Sequence, residues 1–434
     1  MRVLEHAFAV YVGFMCARVR ILCVVGLRHA QTTRTTDLWR LSRPHSTARG
    51  GAFETTTTTT TTTMTRVTVA LAVVMCAMAG ADVAHARAVP RATALTLEPR
   101  DRVEVGTLAS THSLVEAFEA WMVRHGKTYA DDAHEYAARM EIFAKNAAFV
   151  VEHNAKYALG EVSHWVGLNA FAASTREEFK QLLGYDASSR ALKARQDGDY
   201  KNAWRYANVD VPEEIDWVER GAVTKVKNQG RCGSCWAFST SGAVEGLNQI
   251  KTGRLVSLSE QEMVSCSREN SGCNGGLMDN AFKWIIENGG IDSERQYPYV
   301  ALAEECEETK LRLHMATIDG FEDVPAGDED ALEKAVAMQP VSVAIEADHQ
   351  SFQLYEGGVY DAHDCGADID HGVLVVGYGI DHNTTHPKHH RHYWKIKNSW
   401  GQWGENGYIR IARRVKRENG QCGITTAASY PTKK

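Results

Sequence analysis

Apolar and polar positions fall into two kinds of stretch along this chain, those with a period and those without. The first 63 residues have none and close on an uninterrupted threonine tract, Thr55 to Thr63, which offers nothing from which to build a core. Met64 opens a different pattern: Thr65-Arg66, an apolar run from Val67 to Ala81, then Ala84-His85-Ala86. A short basic region, an apolar run and a small-x-small site together read as a secretory signal peptide. Translation is therefore expected from Met64, with residues 64–86 removed as a signal and residues 1–63 an upstream gene-model extension. Residues 87–110 read as a polar spacer.

From Ser113 the period becomes helical. Phe118 and Trp121 share one patch, His125-Gly126-Lys127 breaks it, and Glu135, Arg139, Phe143, Asn146, Val150 and Asn154 then follow at spacings of four, four, three, four and four. That spacing puts all six on one helix face, a face that mixes charges and amides with apolar groups. Residues 185–207, rich in Ser, Lys, Arg, Asp and Gln, read as an exposed linker. The apolar run Trp236 to Leu247 predicts a buried helix over 235–251. A second helix follows from Ser259 to Arg268 with a Ser259/Glu262 capping box, and a third from Met278 to Asn288 closed by Gly289-Gly290. Strands are predicted at Val341–Glu346, His371–Ile380, Tyr393–Lys397 and Gly407–Ala412. Helices first and strands second predict a two-lobed α+β protein, with its site between the lobes.

Length and charge narrow the field only a little. A chain of 434 residues allows two or three domains, and a net charge of -6 gives no reason to expect nucleic acid or an anionic membrane as partner. After the signal no apolar run is long enough to span a bilayer. Cysteine placement is more telling. Cys16, Cys23 and Cys76 lie early, and the other seven of the ten run from Cys232 to Cys422. Seven in one segment suggest three bridges and one free thiol in an oxidising compartment.

Candidate chemistry centres on Asn228-Gln229-Gly230-Arg231-Cys232-Gly233-Ser234-Cys235-Trp236. A cysteine at a helix N-terminus sits where unpaired N–H groups and the macrodipole favour its thiolate. C-x-x-C also occurs as a redox pair or as half a zinc site, but no second C-x-x-C and no strand–helix–strand pattern accompanies this one. Cys232-Gly233-Ser234-Cys235-Trp236 fits the C-G-[SA]-C-[WY] pattern of papain and the cathepsins, and the chain resembles that family. Asp370-His371-Gly372 places a histidine at the mouth of an apolar strand 136 residues after Cys235, and Lys397-Asn398-Ser399-Trp400 supplies an amide at 163. The six-residue helix face resembles the ERFNIN signature of cathepsin L-like propeptides, with Val150 in the isoleucine place. Gly167-Leu168-Asn169-Ala170-Phe171 resembles the second propeptide motif, except that Ala173 stands where the family carries an aspartate of an acid-sensitive ion-pair network.

The resemblance implies a papain-like two-lobed fold, a helical N-terminal lobe and a β-barrel-like C-terminal lobe, preceded by a mainly helical propeptide. It implies a propeptide over 87–210 with a helical core at 113–180, and a mature enzyme over 211–434 starting near Val211-Pro212-Glu213. The expected activity is thiol endopeptidase. Cys235 is the nucleophile and His371 the base, oriented by Asn398. Gln229 with the Cys235 backbone N–H holds the oxyanion. Cys232 would pair with Cys273, Cys266 with Cys306, and Cys365 with Cys422. Gly275 and Gly276 would pair with substrate backbone. Leu277, Met278, Ala344, Ile369 and Ala427 would line an apolar second subsite, and Asp370, Trp400 and Trp403 complete the substrate-binding set. Such a pocket favours bulky apolar residues one position upstream of the residue at the cut bond.

No cofactor or metal is implied. Expected partners are protein or peptide substrates, the chain's own propeptide and cystatin-like inhibitors, acting on a monomer in the lysosome, the vacuole or outside the cell. Two rivals remain open: a catalytically silent homologue or free propeptide-type inhibitor, and another acyl-transfer enzyme with the same triad. Finally, residues 381–392 carry His382, His386, His389, His390 and His392. They fit no closed zinc site and read as a solvated hairpin tip, with a glycosylation sequon at Asn383.

Overall fold

The computed structural model describes residues 111–129, 132–189, 204–384 and 386–434. The proposed signal, the extension before it and the polar spacer lie outside them. Two helices come first, α1 (Thr111–Arg124) and α2 (Ala133–Ala158), followed by a short strand β1 (His164–Val166) and one helical turn α3 (Arg176–Lys180). A helical stretch follows: β2 (Ile215–Asp216), α4 (Cys235–Thr252), α5 (Glu260–Cys266) and α6 (Met278–Glu287). The rest is mainly strand: β3 (Gly320–Asp323), α7 (Glu329–Met338), β4 (Val341–Ile345), α8 (Gln350–Gln353), β5 (Tyr355–Tyr360), β6 (His371–Ile380), β7 (His392–Lys397), β8 (Tyr408–Ala412) and β9 (Ala428–Thr432). Among the described residues no helix is long and apolar enough to cross a membrane.

Chain contacts divide the molecule at Met140 into two units. In the first, Phe118 is fully buried, stacked on Trp121 at 5.7 Å and met edge-on by Tyr136 at 5.3 Å, an aromatic cluster that joins α1 to the start of α2. In the second, the strands form one sheet in the order β1-β5-β8-β7-β6-β4-β9-β3, with β2 added to β6. β6 is its spine, antiparallel to both β4 and β7. Val373 and Val375 enter one apolar cluster with Trp394 and Ile396, while Leu374 and Val376 enter another with Trp236 and Phe282. The two-residue alternation thus buries both faces of one strand, which explains its continuous apolar sequence. Helix α4 lies close on this strand, because a Cβ at Gly242 would come within 2.6 Å of the Leu374 side chain.

The amides on the face of α2 serve as backbone surrogates. Asn154 donates to Val166 O (2.9 Å) and accepts from Val166 N (3.0 Å), while Asn146 donates to Ala172 O (2.8 Å). They fix β1, which pairs antiparallel with β5, and the turn after it. Thr175 then caps α3 with the reciprocal Thr175/Glu178 box. The Ser259/Glu262 box expected before α5 is only half formed. Ser259 Oγ accepts from Glu262 N, but the Glu262 carboxylate takes the backbone N–H of Asp292 at 2.7 Å instead.

Candidate active site

Cys235 is the first residue of α4, at the end where backbone N–H groups lack helical partners. The turn before it is held by the Cys232–Cys273 disulfide and by Gly233 N donating to Cys273 O at 2.9 Å. Disulfides also join Cys266 to Cys306 and Cys365 to Cys422, and Cys235 is the one free cysteine among the described residues. His371 opens β6, and Gly372 N donates to Cys235 Sγ at 3.3 Å, so the strand end and the helix end meet at the sulfur.

The imidazole is held in one tautomer. His371 Nε2 lies 2.9 Å from Asn398 Oδ1, which also accepts the Ser399 backbone N–H at 2.8 Å. A backbone N–H only donates, so Oδ1 is an acceptor and Nε2 carries the hydrogen. Nδ1 is left as the bare nitrogen, buried and without a hydrogen-bond partner. Trp400 stacks on the ring at 4.6 Å and shields the His371–Asn398 bond from water. Gln229 is fixed in the same way. Its Oε1 accepts from Trp400 Nε1 (3.1 Å) and Ser399 Oγ (2.6 Å), which leaves Nε2 to donate.

The cleft is filled by the chain's own earlier segment. Leu182 O accepts from Gln229 Nε2 at 2.8 Å, and Gly184 N donates to Cys235 Sγ at 3.3 Å. Gly276 N donates to Gly184 O (2.9 Å), Asp186 N to Gly276 O (3.1 Å), and Tyr185 N to Asp370 O (2.9 Å), with the Tyr185–Gly276 bridge parallel. Gly275, at φ 119°, turns the loop that presents Gly276. Tyr185 is buried in one apolar cluster with Leu277, Met278, Ala344, Ile369 and Ala427. On the other side of the sulfur, Phe179 and Phe171 pack edge-on against Trp400, at 5.1 and 5.6 Å. Trp403 packs on Trp400 (5.0 Å), 1 % exposed with the propeptide in place, its indole N–H on Gln353 O. The linker expected from residue 185 starts later, since Tyr185 is buried and Asp186 is hydrogen-bonded into the cleft; residues 190–203 lie outside the described chain.

This cover sets the charge state. Burial pushes the Cys235 thiol up to about 11, against the lowering effect of the Gly372 and Gly184 N–H groups. Burial also pushes His371 down to about 4, against its bond to Asn398. Both shifts favour the neutral pair while Leu182–Tyr185 covers it. Desolvation of the covered sulfur thus works against the thiolate that a helix N-terminus favours. Asp370 beside the histidine is pushed up to about 7 by burial and by Asp348 and Glu346.

The histidine-rich segment is a solvated tip at His382, whose side chain is 71% exposed, but is docked at His389. His389 is 6 % exposed, stacked on Tyr157 of α2 at 4.5 Å with Nε2 3.0 Å from Tyr157 O, and His390 N donates to Ser163 Oγ at 2.6 Å. Asn383 itself is exposed. Long-range packing of this kind has no local sequence signal. The cleft-filling residues do carry one: Phe179-x-x-Leu182-Leu183-Gly184-Tyr185 is an apolar run inside a polar region.

Comparison with known proteins agrees with this arrangement. The family described as papain family cysteine protease matches residues 211–432, and the cathepsin propeptide inhibitor domain (I29) matches residues 118–179. Cathepsin L of Sarcophaga peregrina is 49% identical over 73% of this chain and 92% of its own. Cysteine proteinase RD21A of Arabidopsis thaliana is 46% identical over 75% of this chain and 68% of its own. Among solved structures, the proform of the ragweed pollen allergen Amb a 11, a cysteine protease, matches with a TM-score of 0.66 at 38% identity, over 75% of this chain and 96% of that one. Digestive procathepsin L 3 of Tenebrio molitor matches at 0.63 and 40%, over 74% of this chain and 99% of that one.

Proposed function

The chain belongs to the papain family of cysteine proteases, as a cysteine endopeptidase that carries a cathepsin-type propeptide, and from that premise we propose which groups do its chemistry and what it cuts. Residues 87–210 form the inhibitory propeptide and 211–434 the mature enzyme. Removing the propeptide readmits water, which reverses the desolvation of sulfur and imidazole, and the Cys235 proton passes to His371 Nδ1. The thiolate attacks a peptide carbonyl carbon, and the oxygen is received by Gln229 Nε2 and the Cys235 backbone N–H. The His371 imidazolium gives its proton to the departing amine, and the neutral ring then takes one from the water that hydrolyses the thioester. Asn398 keeps Nδ1 facing the sulfur throughout.

The observation that carries this reading is the pairing of Leu182 O with Gln229 Nε2 while Cys235 Sγ meets the N–H of Gly184 (3.3 Å). The propeptide occupies the oxyanion donor yet presents an amide hydrogen, not a carbonyl carbon, to the nucleophile. That explains how it can lie in a protease cleft without being cut.

Tyr185 in the pocket of Leu277, Met278, Ala344, Ile369 and Ala427 supports a preference for bulky apolar or aromatic residues one position upstream of the residue at the cut bond. A fluorogenic dipeptide library assayed with the processed enzyme tests it; a preference for arginine there would refute it. The exposed sequon at Asn383 and the disulfides support passage through the secretory pathway to a lysosome, vacuole or the exterior, with cystatin-like proteins as inhibitors of a monomer. Acquisition of N-glycan at Asn383 in a secreted sample is the corresponding check.

A further inference from the structure

The two sides of Cys235 differ in chemistry. Beyond Gly184 lies the apolar pocket that holds Tyr185; before Leu182 the propeptide presents cations. Arg176 Nη2 and Lys180 Nζ both reach Asp348 Oδ2, at 2.9 and 2.6 Å. Asp348 is tied to the catalytic strand through its neighbour, since Ala347 N donates to Asp370 Oδ1 at 2.8 Å and Asp370 precedes His371. The Asp348 side chain is 17% exposed with the propeptide in place, whereas Arg176 and Lys180 are 56% and 49% exposed. These two cations therefore cover a carboxylate that belongs to the enzyme.

Loss of the propeptide takes both cations away and leaves the carboxylate without them. The side chains nearest to it do not replace them. His349 Nε2 lies 3.9 Å from Asp348 but is drawn to Glu346 Oε1 at 2.7 Å, and its Nδ1 faces Asp364 at 3.7 Å. Glu346 and Asp364 are further carboxylates in the same corner. Nothing in the catalytic sequence above uses Asp348.

We propose that Asp348 is a charge-selecting subsite on the leaving-amine side of the cleft, one that favours substrates with Lys or Arg among the first two residues after the cut bond. The propeptide fills this subsite with Arg176 and Lys180 just as it fills the apolar one with Tyr185. The proposal rests on the peptidase reading above, which takes the Tyr185 pocket as upstream of the cut. It makes the enzyme two-sided in its preference, apolar before the cut and basic after it.

Internally quenched peptides with a constant apolar upstream half, carrying Lys, Arg, Ala or Glu at each of the two positions after the cut, test this on the acid-processed enzyme. Each rate is divided by that of the same preparation on a dipeptidyl coumarin, which has no residue on that side. The expected result is about a fivefold advantage in kcat/KM for Lys or Arg over Glu, mainly through KM. Asp348→Asn abolishes that advantage and Asp348→Lys reverses it. The wild-type enzyme provides a second measurement that needs no variant: raising salt from 0.05 to about 1 M shortens the screening length to about 3 Å and flattens the preference. No basic preference in the wild type, or one that survives in Asp348→Asn, would overturn the inference. Cleavage of the coumarin substrate alongside either result leaves the peptidase reading standing; its absence in the wild type would bring down both.

Discussion

Acid should loosen the propeptide through His153. This residue of α2 is 7 % exposed, with Nε2 3.2 Å from His164 O and its ring 4.6 Å from the His164 ring. Burial, reinforced by His164 and Lys156, pushes it down to about 4 from 6.5, against its hydrogen bond to His164 O and a smaller pull from Asp361. The sign follows from linkage. With β1 packed on α2, His153 is neutral; freed into water it takes up a proton near pH 6.5. Its contribution to that packing, which the docked propeptide needs, is complete above that pH, is lost progressively as pH falls to about 4, and changes no further below. Lowering a pKa by one is worth about 1.4 kcal/mol, so the loss is up to about 3 kcal/mol, on the order of a hundredfold in the opening equilibrium. The perturbation is His153→Gln, which keeps an N–H donor for His164 O and cannot titrate. Labelling of zymogen Cys235 by an epoxide thiol reagent, followed by intact mass from pH 7 to pH 4, reads the opening. The ratio of variant to wild-type rates cancels the intrinsic pH dependence of the thiol. That ratio should fall by one to two orders of magnitude between pH 6.5 and pH 4. A flat ratio would refute the reasoning.

Further outcomes follow from other contacts. Gly184→Ala should leave the zymogen reactive at neutral pH, because an added Cβ would lie 1.9 Å from Gly233 O, a backbone atom; labelling no faster than wild type would contradict this. Gln229→Ala in the processed enzyme should lower kcat by about a hundredfold or more with little change in KM, as expected for loss of one oxyanion donor. Lys227→Met should cost about 3–5 kcal/mol of stability, read as a fall in denaturation midpoint, because Lys227 Nζ neutralises buried Glu245 (3.1 Å) and Glu260 (2.6 Å), which would be left without it.

The sequence was most legible where one strong local pattern decides the outcome. The run Trp236 to Leu247 gave α4, and the double-sided apolar stretch His371 to Ile380 gave β6 at its observed bounds. The fold class and the family were legible for the same reason, since each chemical motif sits at the end of one of these elements. By contrast, β5 carries Glu356, Gly357 and Gly358, so its alternation is blurred, and β1 is a strand only because β5 pairs with it. The half-formed box at Ser259 and the docking of His389 on Tyr157 depend on partners 30 and 232 residues away. The surroundings of Cys235 were hidden for a similar reason. Local position favours a thiolate, and a segment some fifty residues earlier, laid over the sulfur, works against it through burial.

The central claim is that Cys235 alone performs the nucleophilic attack once the propeptide has left. Acid-processed protein reacted with an epoxide thiol-protease inhibitor, digested and mapped by mass spectrometry, tests this in one step. One adduct per molecule on Cys235, formed in parallel with loss of peptide hydrolysis, is the expected result. Full hydrolysis with Cys235 quantitatively blocked, or an adduct on any other residue accompanying the loss, would contradict it.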